Sequence, residues 1–314
     1  MLKIVVSCRS LSMAYALKQM VEHYVSPISG TGFLRTAIDG LYLVVATEPI
    51  ALYHQLYRPA ICVTLQGLKQ ARVADRVLAY GPGQALAARI DSPAIGSVVQ
   101  ASSDKPYLGL MLALDLEVLR EIAASTQGPC ADASLEPGLF VIDVGGDLEH
   151  ALQRLLRLLA VPDAIPLLTR GIIREIAYWL LAGPKGESFA ELALAGTRSR
   201  GVMDAISLLR GRFTEPLCIA ELAETSGMSL SSFHSHFKSL TGATPLQYQK
   251  QLRLFEARRL MLDEAMNVSA SAYKVGYESV SQFIREYARL FRATPKQDIL
   301  VLQQQGHHRA LAKQ

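Results

Sequence analysis

The last third of the chain writes one structural phrase twice. The first copy is AETSGMSLSSFHSHF, Ala223 to Phe237, and the second is AYKVGYESVSQFIREY, Ala272 to Tyr287. In each, Ala is followed four residues on by Gly (Ala223 and Gly227, Ala272 and Gly276). A short polar turn and a segment with an aromatic anchor, Phe233 or Phe283, come next. A small Ala lets two helices cross closely, and Gly takes the positive φ that a tight turn demands. The pattern predicts two helix-turn-helix units about 49 residues apart. Each would leave its second helix free to enter a DNA major groove.

Charge supports that placement. Residues 197–314 hold 16 Lys+Arg against 10 Asp+Glu, whereas residues 1–196 hold 16 against 18. A basic C-terminal module joined to a mildly acidic N-terminal one suits a nucleic-acid binder fused to another function. The length of 314 residues favours two domains. Cys8, Cys62, Cys130 and Cys218 are far apart and form no CxxC pair, so neither a zinc site nor a disulfide scaffold is expected and the thiols read as reduced. No run of about 18 apolar residues suggests a membrane span. The opening MLKIVVSCRSLSM is too soon interrupted by Arg9 for a signal peptide. The expectation is a cytoplasmic protein whose order begins near Met13 or later.

Upstream of the repeat, short β-rich runs alternate with turn signals. They are 41–46, 61–66, 71–73, 77–80, 85–88, 95–100 and 107–114, cut by Gly67, Asp75, Gly81-Pro82-Gly83, Asp91-Ser92-Pro93 and Lys105-Pro106. Many short strands at near-regular spacing predict a sandwich or small barrel, and a small barrel often holds one ligand. Candidate lining residues are His54, Tyr57, Arg58, Cys62, Thr64, Gln66 and Arg89; each reads equally as surface or satisfied core. Cys62 is also a candidate for reaction with an electrophile such as an aldehyde. Only His54 falls among the strands, with His23 before and His150 after, so the cluster a metal enzyme needs is missing. No nucleophile elbow or Gly-rich phosphate loop is present either. No catalytic residue, metal or cofactor is implied.

The pattern then turns helical over 116–125, 147–160 and 163–182, with Asp147 and Asp163 as N-cap candidates and Gly183-Pro184 as a stop. The leucine stripes of the last two helices serve either packing within the domain or a homodimer interface. The connection between domains is expected at 186–198. The domain plan is an N-terminal extension and lead-in helix (1–30), a barrel domain (31–185), this linker, a helical domain (199–300) and a tail (301–314).

Within the repeat, helices are expected over 229–240 and 279–291. At 100° per residue, Phe233, Phe237, Leu230 and Leu240 share one face of the first. Ser231, Ser235 and Lys238 lie opposite, with Ser232 and His234 nearby. In the second, Phe283, Tyr287, Leu290 and Val280 form the core face. Ser281 and Arg285 lie opposite, with Gln282 and Arg289 alongside and Ser279 at the start. Arg grips guanine and Gln grips adenine bidentately, whereas Ser and Lys more often hold phosphates. Between the two, Thr244 can N-cap and Pro245 can open a helix of about 18 residues, roughly 27 Å against the ~34 Å turn of B-DNA. Lys250, Arg253, Arg258 and Arg259 on that rod serve either phosphates or internal salt bridges.

These residues resemble the AraC/XylS class of bacterial transcription regulators. The resemblance rests on IAELAETSGMSLSSFHSHFKSLTGATPLQYQKQLRLFEARRLM and on VGYESVSQFIREYARLF with Thr294-Pro295 behind it. More diffusely, Leu52–Gly67, Tyr80-Gly-Pro-Gly and the stretch SPAIGSVVQAS with PYLGL are similar to a cupin-like N-terminal domain of that class. The resemblance implies promoter binding by two recognition helices, frequent activation through RNA polymerase, and an effector or dimer function for the barrel. Many members carry Gly after the last Phe; here Arg292 follows Phe291, so either the turn is less strained or Arg292 touches phosphate.

The expectation is an α+β multidomain protein, a cupin-like β-barrel with flanking helices followed by an all-α double helix-turn-helix. It would bind double-stranded promoter DNA as an activator in contact with RNA polymerase, under control of a small-molecule effector or homodimerisation. The rivals are a constitutive DNA binder whose barrel only dimerises, and a ligand-binding barrel with secondary DNA binding.

Overall fold

The computed structural model describes residues 8–26, 31–73, 76–126, 137–193 and 198–304. Helix α1 (Cys8–Val25) leads into ten strands and a helical layer. The strands are β1 (Gly32–Arg35), β2 (Leu41–Ala46), β3 (Ile50–Tyr57), β4 (Ala60–Gln66), β5 (Leu68–Val73), β6 (Arg76–Tyr80), β7 (Gln84–Ala88), β8 (Ser92–Gln100), β9 (Tyr107–Ala113) and β10 (Leu139–Asp143). One antiparallel sheet runs β1-β2-β9-β4-β7-β10 and the other β3-β8-β5-β6. Strand β4 is buried from Ala60 to Leu65, which is why it reads as a nearly continuous apolar run. One of its faces, with Cys62, meets the second sheet. The other, with Ile61, Val63 and Leu65, joins the core under α1, α2 (Leu116–Thr126) and α3 (Gly146–Arg157). This is the cupin-like barrel with flanking helices that the sequence predicts.

Strands β1, β3 and β10 were not among the expected runs. Arg89 was expected inside the barrel, and the structure turns it the other way. Its guanidinium, fully buried, pairs with Glu191 at 2.5 Å and donates to the Ser188 carbonyl. Glu191 sits on α5 (Gly186–Ala193), a helix in the stretch read as linker, whose Phe189 and Ala190 are core. Two caps also differ. Helix α3 starts behind Gly145, and α4 (Ile165–Ala182) behind Ala164, neither with a side-chain cap. Asp147 and Asp163 sit in or before the first turn, where a carboxylate favours the helix dipole. Residues 194–197 and Cys130 lie outside the described residues.

The C-terminal domain comprises α6 (Arg198–Gly211), α7 (Ile219–Thr225), α8 (Leu230–Thr241), α9 (Pro245–Asp263), α10 (Val268–Lys274), α11 (Val280–Phe291) and α12 (Pro295–Gln304). Ala223 and Ala272 are buried at the α7/α8 and α10/α11 crossings, and Gly227 and Gly276 hold φ of 65° and 88°. A Cβ on Gly276 would lie 2.2 Å from the Thr214 carbonyl oxygen, so this turn also needs the space. Thr244 closes a capping box with Gln247 ahead of Pro245 and the 19-residue α9. Among the described residues no helix is long and apolar enough to cross a membrane.

Candidate nucleic-acid interface and effector cavity

The two recognition helices are capped and seated alike. Ser229 and Ser279 each accept a hydrogen bond from the backbone N–H three residues on. Phe233 and Phe237 of α8, and Phe283 and Tyr287 of α11, are sealed in the core. The opposite faces are open. Ser231, Ser235 and Lys238 are exposed on α8, with Ser232 and His234 half-buried. Ser281, Gln282, Arg285 and Arg289 are exposed on α11. Ser279 is exposed too, but its hydroxyl oxygen is engaged as the cap. His236, beside this face, meets the Ser232 carbonyl through Nδ1 at 2.8 Å.

On α11 the exposed face is supported from behind. Gln282 and Lys250 donate to Glu286 Oε1, and Tyr277 donates to its Oε2. Against the cost of burying that carboxylate, these three bonds hold its pKa below the ordinary value. Arg285 makes no hydrogen bond or ion pair to any described residue and remains available. The rod's cations resolve as internal. Arg253 donates to the carbonyls of Phe213, Thr214, Glu215 and Gly276, stitching the two units together. Arg258 grips Asp298 bidentately, and Arg259 pairs with Glu256 and Glu264. Arg292 caps α11 at φ 60°, so the turn keeps the left-handed strain that Gly would relieve.

The barrel docks directly on this domain. The Tyr248 hydroxyl donates to the Asp91 carbonyl at 2.6 Å, and Gly138 N–H donates to the Leu240 carbonyl at 2.8 Å. Arg210 Nε lies 2.8 Å from Asp91 Oδ2. Arg258 donates to the His54 carbonyl, and the His54 ring packs edge-on against Phe291 at 5.5 Å. Burial, then the neighbouring Arg258 and Arg292, lowers the His54 pKa to about 4.

A cavity of about 190 Å³ lies along this junction. His54, Tyr57, Arg58, Cys62 and Met111 line it from the barrel, and Arg210, Phe255 and Arg258 from the helices. Of the expected effector residues, then, His54, Tyr57, Arg58 and Cys62 converge. Thr64 and Gln66 do not reach it: Thr64 meets the Tyr107 hydroxyl at 3.2 Å, and Gln66 donates to the Pro106 carbonyl. Burial pushes the Cys62 thiol up, away from the thiolate that reaction with an electrophile needs. Among the described residues no cluster of His, Cys, Asp and Glu is placed to hold a metal.

Two family models match this architecture. Residues 37–188 match the AraC-type transcriptional regulator N-terminus, and residues 222–298 match a helix-turn-helix domain. The thermoregulatory protein LcrF of Yersinia pestis is 25% identical over 166 residues, 53% of this chain and 61% of LcrF. The transcriptional activator RhaS of Pectobacterium carotovorum is 28% identical over 102 residues, 32% of this chain and 37% of RhaS. The matches thus span less than two thirds of either relative. Among solved structures, apo ToxT from Vibrio cholerae has a TM-score of 0.58 at 11% identity, covering 85% of this chain and 100% of ToxT. An unsaturated fatty acid-bound ToxT has a TM-score of 0.56 at 12% identity, covering 85% and 97%. At that identity the likeness is one of fold, with the same two-domain order. By its two matched segments and its relatives, the chain belongs to the AraC/XylS family.

Proposed function

We propose that the protein is a sequence-specific DNA-binding transcription activator. The observation that supports this most is the pair of helices α8 and α11, each N-capped, core-sealed on one face and polar and exposed on the other. On this reading Arg285 and Gln282 read bases, while Ser231, Ser232, His234, Ser235, Lys238, Ser279, Ser281 and Arg289 hold phosphates and register. The relatives' names, an activator and a thermoregulatory protein, agree with a regulatory role, and contact with RNA polymerase on promoter DNA belongs to this reading. None of this requires catalysis.

The N-terminal domain is read as the controlling part. It touches α6, the end of α8, α9 and α11, so a ligand or a second subunit that favours one docked arrangement shifts the population competent for DNA. A fatty acid-bound form of the fold neighbour ToxT supports a small-molecule effector. The exposed Leu167 and Leu168 of α4 offer a homodimer face.

The test is fluorescence anisotropy of the full chain on the intergenic DNA beside its own gene, across a salt series, with random DNA as control. Specific binding that weakens steeply with salt supports the reading. Equal affinity for random DNA, with and without candidate effectors, overturns it.

A further inference from the structure

Lys69 is the feature that the functional reading leaves unexplained. It lies on β5 facing the inside of the barrel and is only 4% exposed. No carboxylate among the described residues pairs with it. Its Nζ lies 5.9 Å from the ring centroids of both Tyr53 and Tyr107. Lysine is among the residues least often buried without a partner, because the ammonium loses its hydration. Desolvation opposes the charge here, and the neighbouring Tyr57, Tyr107 and Cys62, which burial keeps protonated at neutral pH, offer it no anion. The group is therefore a buried lysine set against aromatic faces, with no counter-charge among the described residues.

Two neighbours have the complementary deficit. The hydroxyls of Tyr57 and Tyr80 are buried and meet no hydrogen-bond partner among the described residues. Burial raises both phenols, so they remain protonated donors at neutral pH. A buried ammonium beside two idle O–H donors is the donor set that a carboxylate satisfies with charge-assisted hydrogen bonds. Tyr57 and Cys62 belong to this electrostatic group and also line the 190 Å³ cavity at the junction with the helices. The barrel side of that cavity also presents an apolar strip, Leu56, Ala60 and Met111, beside the polar His54, Gln55 and Arg58. A cavity of roughly 150 Å³ takes a single benzene-sized ring, so this one suits one ring or a short chain.

We propose that the barrel interior binds a small organic monocarboxylate, its acid group on Lys69 and the Tyr57 and Tyr80 hydroxyls and its apolar part toward Met111 and the docked helices. This rests on the reading of the N-terminal domain as the effector-taking part and names the ligand class.

The test is isothermal titration of the full-length protein, without DNA, with phenylacetate and hexanoate, using phenylacetamide and hexanamide as neutral controls. Either acid should bind at least about tenfold tighter than its amide. Lys69→Met, which keeps the chain length and removes the charge, should abolish the acid's heat without lowering the melting temperature, since it removes an unpaired buried charge. Tyr80→Phe, which deletes only the idle hydroxyl, should weaken the acid several-fold and leave the fold intact. Failure of both acids to bind, equal affinity for acid and amide, or undiminished binding to Tyr80→Phe and Lys69→Met would each overturn the site. A Lys69→Met protein that melts well below the parent would mean a structural lysine and also overturn it. None of these results touches the DNA-binding reading, which anisotropy decides by itself.

Discussion

The two helix-turn-helix units share one phrase but differ in what they are attached to and what they present. The first has no core of its own: Phe233, Phe237, Tyr248 and Leu252 belong to one apolar cluster that continues into the barrel helices. The second closes around Phe283, Tyr287, Phe291 and Leu254 as a separate cluster, touching the barrel mainly through His54. Their outer faces diverge in step. The anchored unit offers serines, and the independent unit offers Gln282 and Arg285. On the proposed reading, the unit packed on the barrel is poorly equipped to read bases, and the unit that reads bases is loosely tied to the barrel. In a chain of this kind, transmission and discrimination are divided between two copies of one motif.

The division can be broken first at the cores. Phe233→Ala and Phe283→Ala should each lose about 3–5 kcal/mol. Phe233→Ala should lower hydrogen-exchange protection in both α8 and the barrel helices, whereas Phe283→Ala should loosen α10 to α12 alone. Equal spreading from both sites would dissolve the distinction. The outer faces give the next effect. Arg285→Ala should cost about 1–3 kcal/mol on the specific site and little on random DNA, while Ser231→Ala and Ser235→Ala should shift both by less. If Arg285→Ala weakens random DNA equally, Arg285 is a phosphate contact.

The tie between barrel and second unit has a pH signature. The folded His54 pKa, near 4, is below its ordinary 6.5. The folded state therefore resists a proton that the unfolded state takes up. Its contribution is complete above about pH 6.5 and is lost as pH falls through 4. Allowing for solvent screening of a partly exposed ring, the loss should be about 1–2 kcal/mol. Melting curves from pH 7 to 4 should show it, and His54→Phe should flatten that part of the profile. The smallest effect lies at the cap. Arg292→Gly should stabilise α11 by about 0.5–1 kcal/mol by removing left-handed strain. An accompanying fall in affinity for all DNA would assign Arg292 to a phosphate.

The helical half was legible because its constraints are local. Ala four residues before Gly, the caps Ser229, Thr244 and Ser279 ahead of their helices, and Pro245 at a helix start all act within one turn. The barrel was less so. Strand β3 (IALYHQLY) turns Tyr and Gln inward and shows no apolar alternation, so it was missed, and β1 and β10 are short edge strands. Arg89 misled because its partner, Glu191, is 102 residues away on a helix hidden behind Gly183-Pro184. Lys69 escaped for a similar reason: a lysine in a short strand reads as surface until the opposite sheet is in place.

The continuous core between barrel and first unit also sets how freely such chains recombine. The barrel's outer seam is matched to Arg210, Leu240 and Tyr248, so a sensor grafted from a relative would arrive at a surface shaped for another partner. The natural crossover point for a working chimera is thus within α9, past Leu252, where only the second reading head changes hands.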